Sequence, residues 1–114
     1  MAFNTDAPRG LTLFQLASAR MDWLSARQKT IATNIANADT PDFRAKEVSS
    51  FEDFLTSGTV QTRDSQSAWD QSLDGNRVVL EEQMLMATET EEHHRLAARL
   101  YRKGHDLIAI AASK

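Results

Sequence analysis

Between Leu11 and about Ala38 the apolar residues fall at Phe14, Ala17, Met21, Leu24, Ile31 and Ile35, three and four positions apart except where Gln28 occupies one turn. Residues at these spacings share one face of an α-helix, so the stretch reads as one long amphipathic helix. Leu13, Leu16, Trp23 and Ala32 widen the stripe beyond a two-stranded seam, which predicts more than one packing neighbour. Roughly 26 residues at about 1.5 Å each give a helix of about 40 Å, long for a globular protein.

Asn37 and Asp39 tolerate the backbone angles that end helices, and the ring of Pro41 pushes Thr40 out of helical conformation, so the helix should stop near Asn37. Ser49 with Glu52 and Ser50 with Asp53 then form two overlapping capping boxes ahead of Phe51, Phe54 and Leu55, which predicts a short helix near 50–56. The run from Thr56 to Asn76 is rich in Ser, Thr, Gln, Asp and Gly, with Val60, Ala68, Trp69 and Leu73 to bury. It reads as a mobile or docking segment.

A second long helix is expected from Arg77 to about Ala112, with Asn76 as its N-cap and Gly104 as its weak point. Glu81, Glu82, Glu89, Glu91 and Glu92 crowd its first half, and Arg95, Arg99, Arg102 and Lys103 its second, in accord with the helix dipole. The expected fold is therefore all-α. Two long terminal helices pair as an antiparallel coiled-coil-like unit, with a mobile middle segment containing a short helix. The organisation is a disordered N-terminus over 1–10, a helix over 11–38, an irregular insert over 39–76 and a helix over 77–114.

Thirteen basic against sixteen acidic residues leave a net charge of −3, too small an imbalance to predict binding to phosphate backbones or anionic lipid. Without cysteine, disulfide frameworks and thiolate metal sites are excluded. The first ten residues lack the apolar core of a secretory signal, and no run approaches the roughly 18 apolar residues of a membrane span. Glu89 and His93 share a helical face, yet His94 projects about 100 degrees away and Ala97 and Ala98 occupy the next turn, so a charge-paired solvated face accounts for them better than a metal site. Arg95, Arg99, Arg102 and Lys103 alternate with Leu96, Leu100 and Tyr101 as in an amphipathic helix, which argues against a nucleic-acid stripe. With no phosphate-binding glycine loop or nucleophile motif, neither enzyme nor cofactor is expected.

Asn34 and Asn37 compete for backbone hydrogen bonds and lower helix propensity. Helix termination, with Asn37 as a cap and Asn34 on the polar flank, explains Asn37 better than Asn34; the alternative is that both amides bond a neighbouring chain or the following loop. Asn34, Ile35, Ala36, Asn37, Ala38, Asp39, Thr40 and Pro41, with Leu24 and Gln28 upstream and Phe43, Arg44 and Ala45 downstream, resemble the N-terminal signature of flagellar basal-body rod and hook proteins, most nearly the proximal rod members. The resemblance is specific over about Leu11 to Leu55. It rests on helix length and placement from Arg77 onward. The family usually has glycine after the proline, where this chain has Asp42; if that glycine serves a positive φ, aspartate tolerates it well.

The resemblance implies a non-enzymatic rod subunit, its terminal helices stacking helically into the axial drive shaft. It implies as partners copies of itself, other rod subunits and basal-body ring and export-gate junction proteins, with neither nucleic acid nor membrane insertion. It also implies export through the flagellar type III apparatus to a basal body spanning the periplasm, and marginal stability as a monomer. Expected interface positions are Phe14, Met21, Leu24, Ile31 and Ile35 on the first helix and Met84, Leu96, Leu100, Leu107 and Ile110 on the second. Because Asn37 and Pro41 have local work, Asn34 and Asp39 become the expected contacts between subunits. A free helical-hairpin adaptor or export chaperone is the competing class, which has no evident need for the Asn-rich signature.

Overall fold

The structure, a computed structural model, describes residues 9–65 and 75–113. Its order is α1 (Arg9–Ala36), β1 (Lys46–Val48), α2 (Phe51–Ser57), β2 (Thr62–Asp64) and α3 (Gly75–Ala112). α1 and α3 pack antiparallel along most of their length: Phe14 meets Tyr101, Ser25 meets His94, Arg27 meets Thr90 and Asn34 meets Gln83. The molecule measures 64 × 31 × 15 Å, its long dimension close to the roughly 57 Å expected of a 38-residue helix.

The α1 stripe faces its partner as its periodicity demands. Ala17, Leu24 and Ile31, seven residues apart, are buried, and Phe14, Met21, Gln28 and Ile35 are half-buried beside them. Opposite them α3 presents Gln83, Thr90, Ala97 and Gly104, also seven apart and all buried. Leu24 and Ile31 occupy so much of the space between the axes that small or hydrogen-bonding residues must face them. A Cβ placed on Gly104 would lie 3.8 Å from Phe14 Cδ1.

Element ends differ slightly from expectation. α1 begins at Arg9, inside the stretch expected to be disordered, and gives way to a turn after Ala36. α3 begins at Gly75, which puts Asn76 inside the helix rather than at its cap. The short helix forms where expected. Ser50 is its N-cap and accepts from Asp53 N, while Ser49 Oγ accepts from Gln61 N instead. Gly58 ends it at φ +80 with its N–H donating to Phe54 O.

A two-stranded antiparallel sheet is the departure from the irregular insert with one short helix. β1 and β2 pair Lys46 with Asp64, Glu47 with Arg63 and Val48 with Thr62. Residues 56–65 are therefore structured, and Val60 packs with Phe51 and Phe54 against Trp23, Leu24, Val48 and Ala97. Each strand is three residues long and carries no period-two run to read, so only pairing reveals it. Trp69 and the rest of 66–74, within the segment expected to be mobile, lie outside the described residues.

Candidate functional site

The signature occupies the end of α1 and the turn into the insert. After Ala36 the turn closes on itself. Asn37 Nδ2 donates to Thr33 O, and Thr40 donates through its N–H to Asn37 O and through its hydroxyl to Asn37 Oδ1. Phe43 N donates to Thr40 O at 3.2 Å, and Asp42 between them adopts φ +64. Asp42 thus holds the left-handed conformation that a glycine would adopt there more freely. Asp39, Thr40 and Pro41 are exposed, and Phe43 is half-buried.

Asn34 is 1% exposed, and its amide links three elements. Its Nδ2 donates to Lys46 O and to Gln83 Oε1, both at 2.8 Å, and its Oδ1 accepts from Lys46 N at 2.9 Å. In this register the Lys46 N–H and C=O point away from β2, so the side chain of Asn34 acts as the missing neighbour strand. Only a carboxamide both donates and accepts in this way; aspartate would lack the donors. The expectation that Asn34 contacts another subunit is thereby corrected, because its groups are engaged within the chain. Its alternative, a bond to the following loop, is what forms.

The same flank of α1 holds the rest of the insert, which runs back along the helix. Arg27 pairs with Glu47 at 3.4 Å and donates to Thr90 Oγ1 on α3. Trp23 Nε1 donates to Ser49 O at 2.8 Å. The Arg20 guanidinium lies 4.8 Å from the Trp23 ring and 4.9 Å from that of Phe51. Burial there holds Arg20 below the ordinary guanidinium value, and the Arg27 charge adds to the shift. Asn34, Arg27, Trp23 and Arg20 thus meet Lys46, Glu47, Ser49 and Phe51 in order, which fixes the insert against α1.

Among the expected interface positions, Leu24 and Ile31 are buried against α3, and Phe14, Met21 and Ile35 are half-buried. Met84, Leu96, Leu100, Leu107 and Ile110 stay out of that seam, between 49% and 60% exposed. The seam is taken by the row from Gln83 to Gly104, which leaves these five uncovered among the described residues. On the side of α1 away from the insert, a groove of about 530 Å³ lies between the helices, lined in part by Leu24, Gln28, Ala32, Thr90 and His94. Gln28 Oε1 is buried there and has no hydrogen-bond partner among the described residues. Sequence reasoning passed over Gln83, Thr90 and Arg27; their signal was a polar residue recurring on the face where a helix needs a partner.

Among the described residues no three His, Asp or Glu side chains group as a metal site would require, and no helix is long and apolar enough to cross a membrane. A paired-helix frame, a polar lock and uncovered apolar rows define a structural interaction module. Residues 14–44, which run from Phe14 through the lock and turn to Arg44, match the family described as flagella basal body rod protein. Over this segment the chain resembles the flagellar basal-body rod proteins. The flagellar basal body rod protein FlgB of Agrobacterium fabrum is 62% identical over 42 residues, which cover 37% of this chain and 31% of that relative. The match thus spans about a third of the relative's length. No solved structure matches significantly.

Proposed function

We propose that the protein is a structural subunit of the flagellar basal-body rod, assembling helically through its two long helices into the axial drive shaft. The observation that carries this reading is the match over residues 14–44. That segment contains the residues that join α1, the insert and α3 in one register. Two further features support it. The exposed leucines of α3 and the unpartnered Gln28 acceptor are groups that a neighbouring subunit would cover. A lone chain gains nothing from leaving them open.

In this reading the partners are copies of the chain, other rod subunits and the basal-body ring and export-gate junction proteins. The chain reaches the periplasm-spanning basal body through the flagellar type III apparatus. Export requires an unfolded chain, and a monomer with half its apolar rows uncovered unfolds at low cost before neighbours complete it. The test is fractionation of detergent-extracted basal bodies, in which the protein should remain with the rod. The Asn34→Ala, Asn37→Ala variant should still be exported, yet be missing from basal bodies and leave cells non-motile. Normal motility in that variant would refute the role given to the signature.

A further inference from the structure

Two residues of α1, Arg27 and Asn34, stand one heptad apart, and each holds the insert with one part of its side chain and α3 with another. The Asn34 carboxamide closes on both backbone groups of Lys46 and gives its remaining N–H to Gln83 Oε1 at 2.8 Å. Arg27 grips Glu47 through Nε and Nη2, at 3.4 and 3.5 Å, and turns Nη1 to Thr90 Oγ1 at 3.4 Å. Glu47 Oε1 in turn accepts from Val48 N at 3.0 Å. Lys46 and Val48 have the same parity in β1, so both of their N–H groups point away from β2. Each is held by a side chain that α3 helps to orient: Lys46 through Asn34 from Gln83, and Val48 through Glu47 and Arg27 from Thr90.

We propose that Asn34 and Arg27 are positioning residues that make the seating of β1 on α1 conditional on the seating of α3. The cause is the satisfaction of buried groups. Asn34 is 1% exposed, so an N–H that loses Gln83 finds no water, and the amide gains by rotating, which breaks its pair with Lys46. Thr90 is as deeply buried, and without its hydroxyl the Arg27 fork loses its bond to α3 and is freer to leave Glu47. Coupling of this kind is reciprocal, so a loosened insert also weakens the hold on α3. A partner that binds the uncovered outer side of α3 and shifts that helix thereby alters the insert without touching it. These links all lie within one chain and do not depend on the rod reading.

Amide hydrogen exchange on the full chain tests this, because the two links act on different amides. Gln83→Met keeps the length of the side chain and removes its acceptor; exchange at the Lys46 N–H should rise about tenfold, with little change at Val48. Thr90→Val keeps the shape and removes the hydroxyl; exchange at the Val48 N–H should rise several-fold, with little change at Lys46. Thr90→Ser, which keeps the hydroxyl, should leave Val48 close to the parent rate. Phe14→Ala weakens the helix pair elsewhere, and neither amide should respond to it. If both amides speed up alike in all these variants, in step with their urea midpoints, the effect is plain loss of stability and the proposal is overturned. Unchanged exchange at Lys46 in Gln83→Met and at Val48 in Thr90→Val overturns it as well. Far-UV circular dichroism establishes that each variant keeps its helices, and should Gln83→Met lose them, the two Thr90 variants decide. The readout is internal to one chain, so it succeeds or fails separately from basal-body fractionation.

Discussion

The two ends of the helix pair are held together by different chemistry. At the signature end Asn34, Gln83, Lys46, Arg27, Thr90 and Glu47 meet through directional hydrogen bonds. At the far end Phe14 lies 4.2 Å from Tyr101, centroid to centroid, against Gly104, with Leu100, Leu107 and Ile110 exposed nearby. An apolar contact gives burial without insisting on a partner, because dispersion has no direction. A buried amide insists, because a slipped register strands its groups without water. The signature end therefore sets the register of the hairpin, and the aromatic end supplies adhesion that a neighbouring chain could share.

The comparison is broken most directly at Asn34. Asn34→Ala removes the partners of Lys46 N–H, Lys46 C=O and Gln83, and should destabilise by about 3 kcal/mol. Urea melts followed by circular dichroism would measure it, and hydrogen exchange should show the Lys46 amide losing its protection. A loss well below 1 kcal/mol would mean that the lock does not govern the hairpin. Phe14→Ala at the other end should cost about 2 kcal/mol, less than in a full core because the ring is half-buried, and should leave Lys46 exchange unchanged.

Gly104→Ala should sharpen the contrast in the opposite direction. The added methyl reaches ordinary contact with Phe14 and raises helix propensity, so the melt should shift toward greater stability by up to about 1 kcal/mol. Destabilisation would show that the seam needs the closer approach only glycine allows. The smallest effect is expected in acid. The Lys46 ammonium holds the Asp64 carboxyl below its ordinary range by hydrogen bonding and charge, partly opposed by desolvation, and Arg44 adds to the lowering. A folded-state value below the unfolded one stabilises above the unfolded value, and this is lost as pH falls through the folded one. Since Asp64 is only half-buried, the effect is a loosening of β2 in acid, seen as faster exchange of the Ser65 N–H bonded to Ala45 O, and absent in Asp64→Asn.

Much of this was legible in the chain. The period of α1, the turn after Ala36, the Ser50 cap and the tolerance of Asp42 for a positive φ all depend on residues within a turn or two of one another. Local sterics and backbone hydrogen bonds decide such features wherever the segment packs. The sequence also carried the signature, and with it the likeness of residues 14–44 to flagellar basal-body rod proteins.

Only the tertiary structure decided which face of α3 turns inward. Leu96, Leu100 and Leu107 are the more apolar choice, but side chains as large as Leu24 and Ile31 need small or hydrogen-bonding partners across a close helix contact; Ala97 and Gly104 are small, and Gln83 and Thr90 bond across it to Asn34 and Arg27. The same holds for the three-residue strands, too short to announce a period, and for Asn34. Its place in the helix is written locally, whereas its purpose requires the Lys46 backbone and Gln83, 12 and 49 positions away, to arrive at one point.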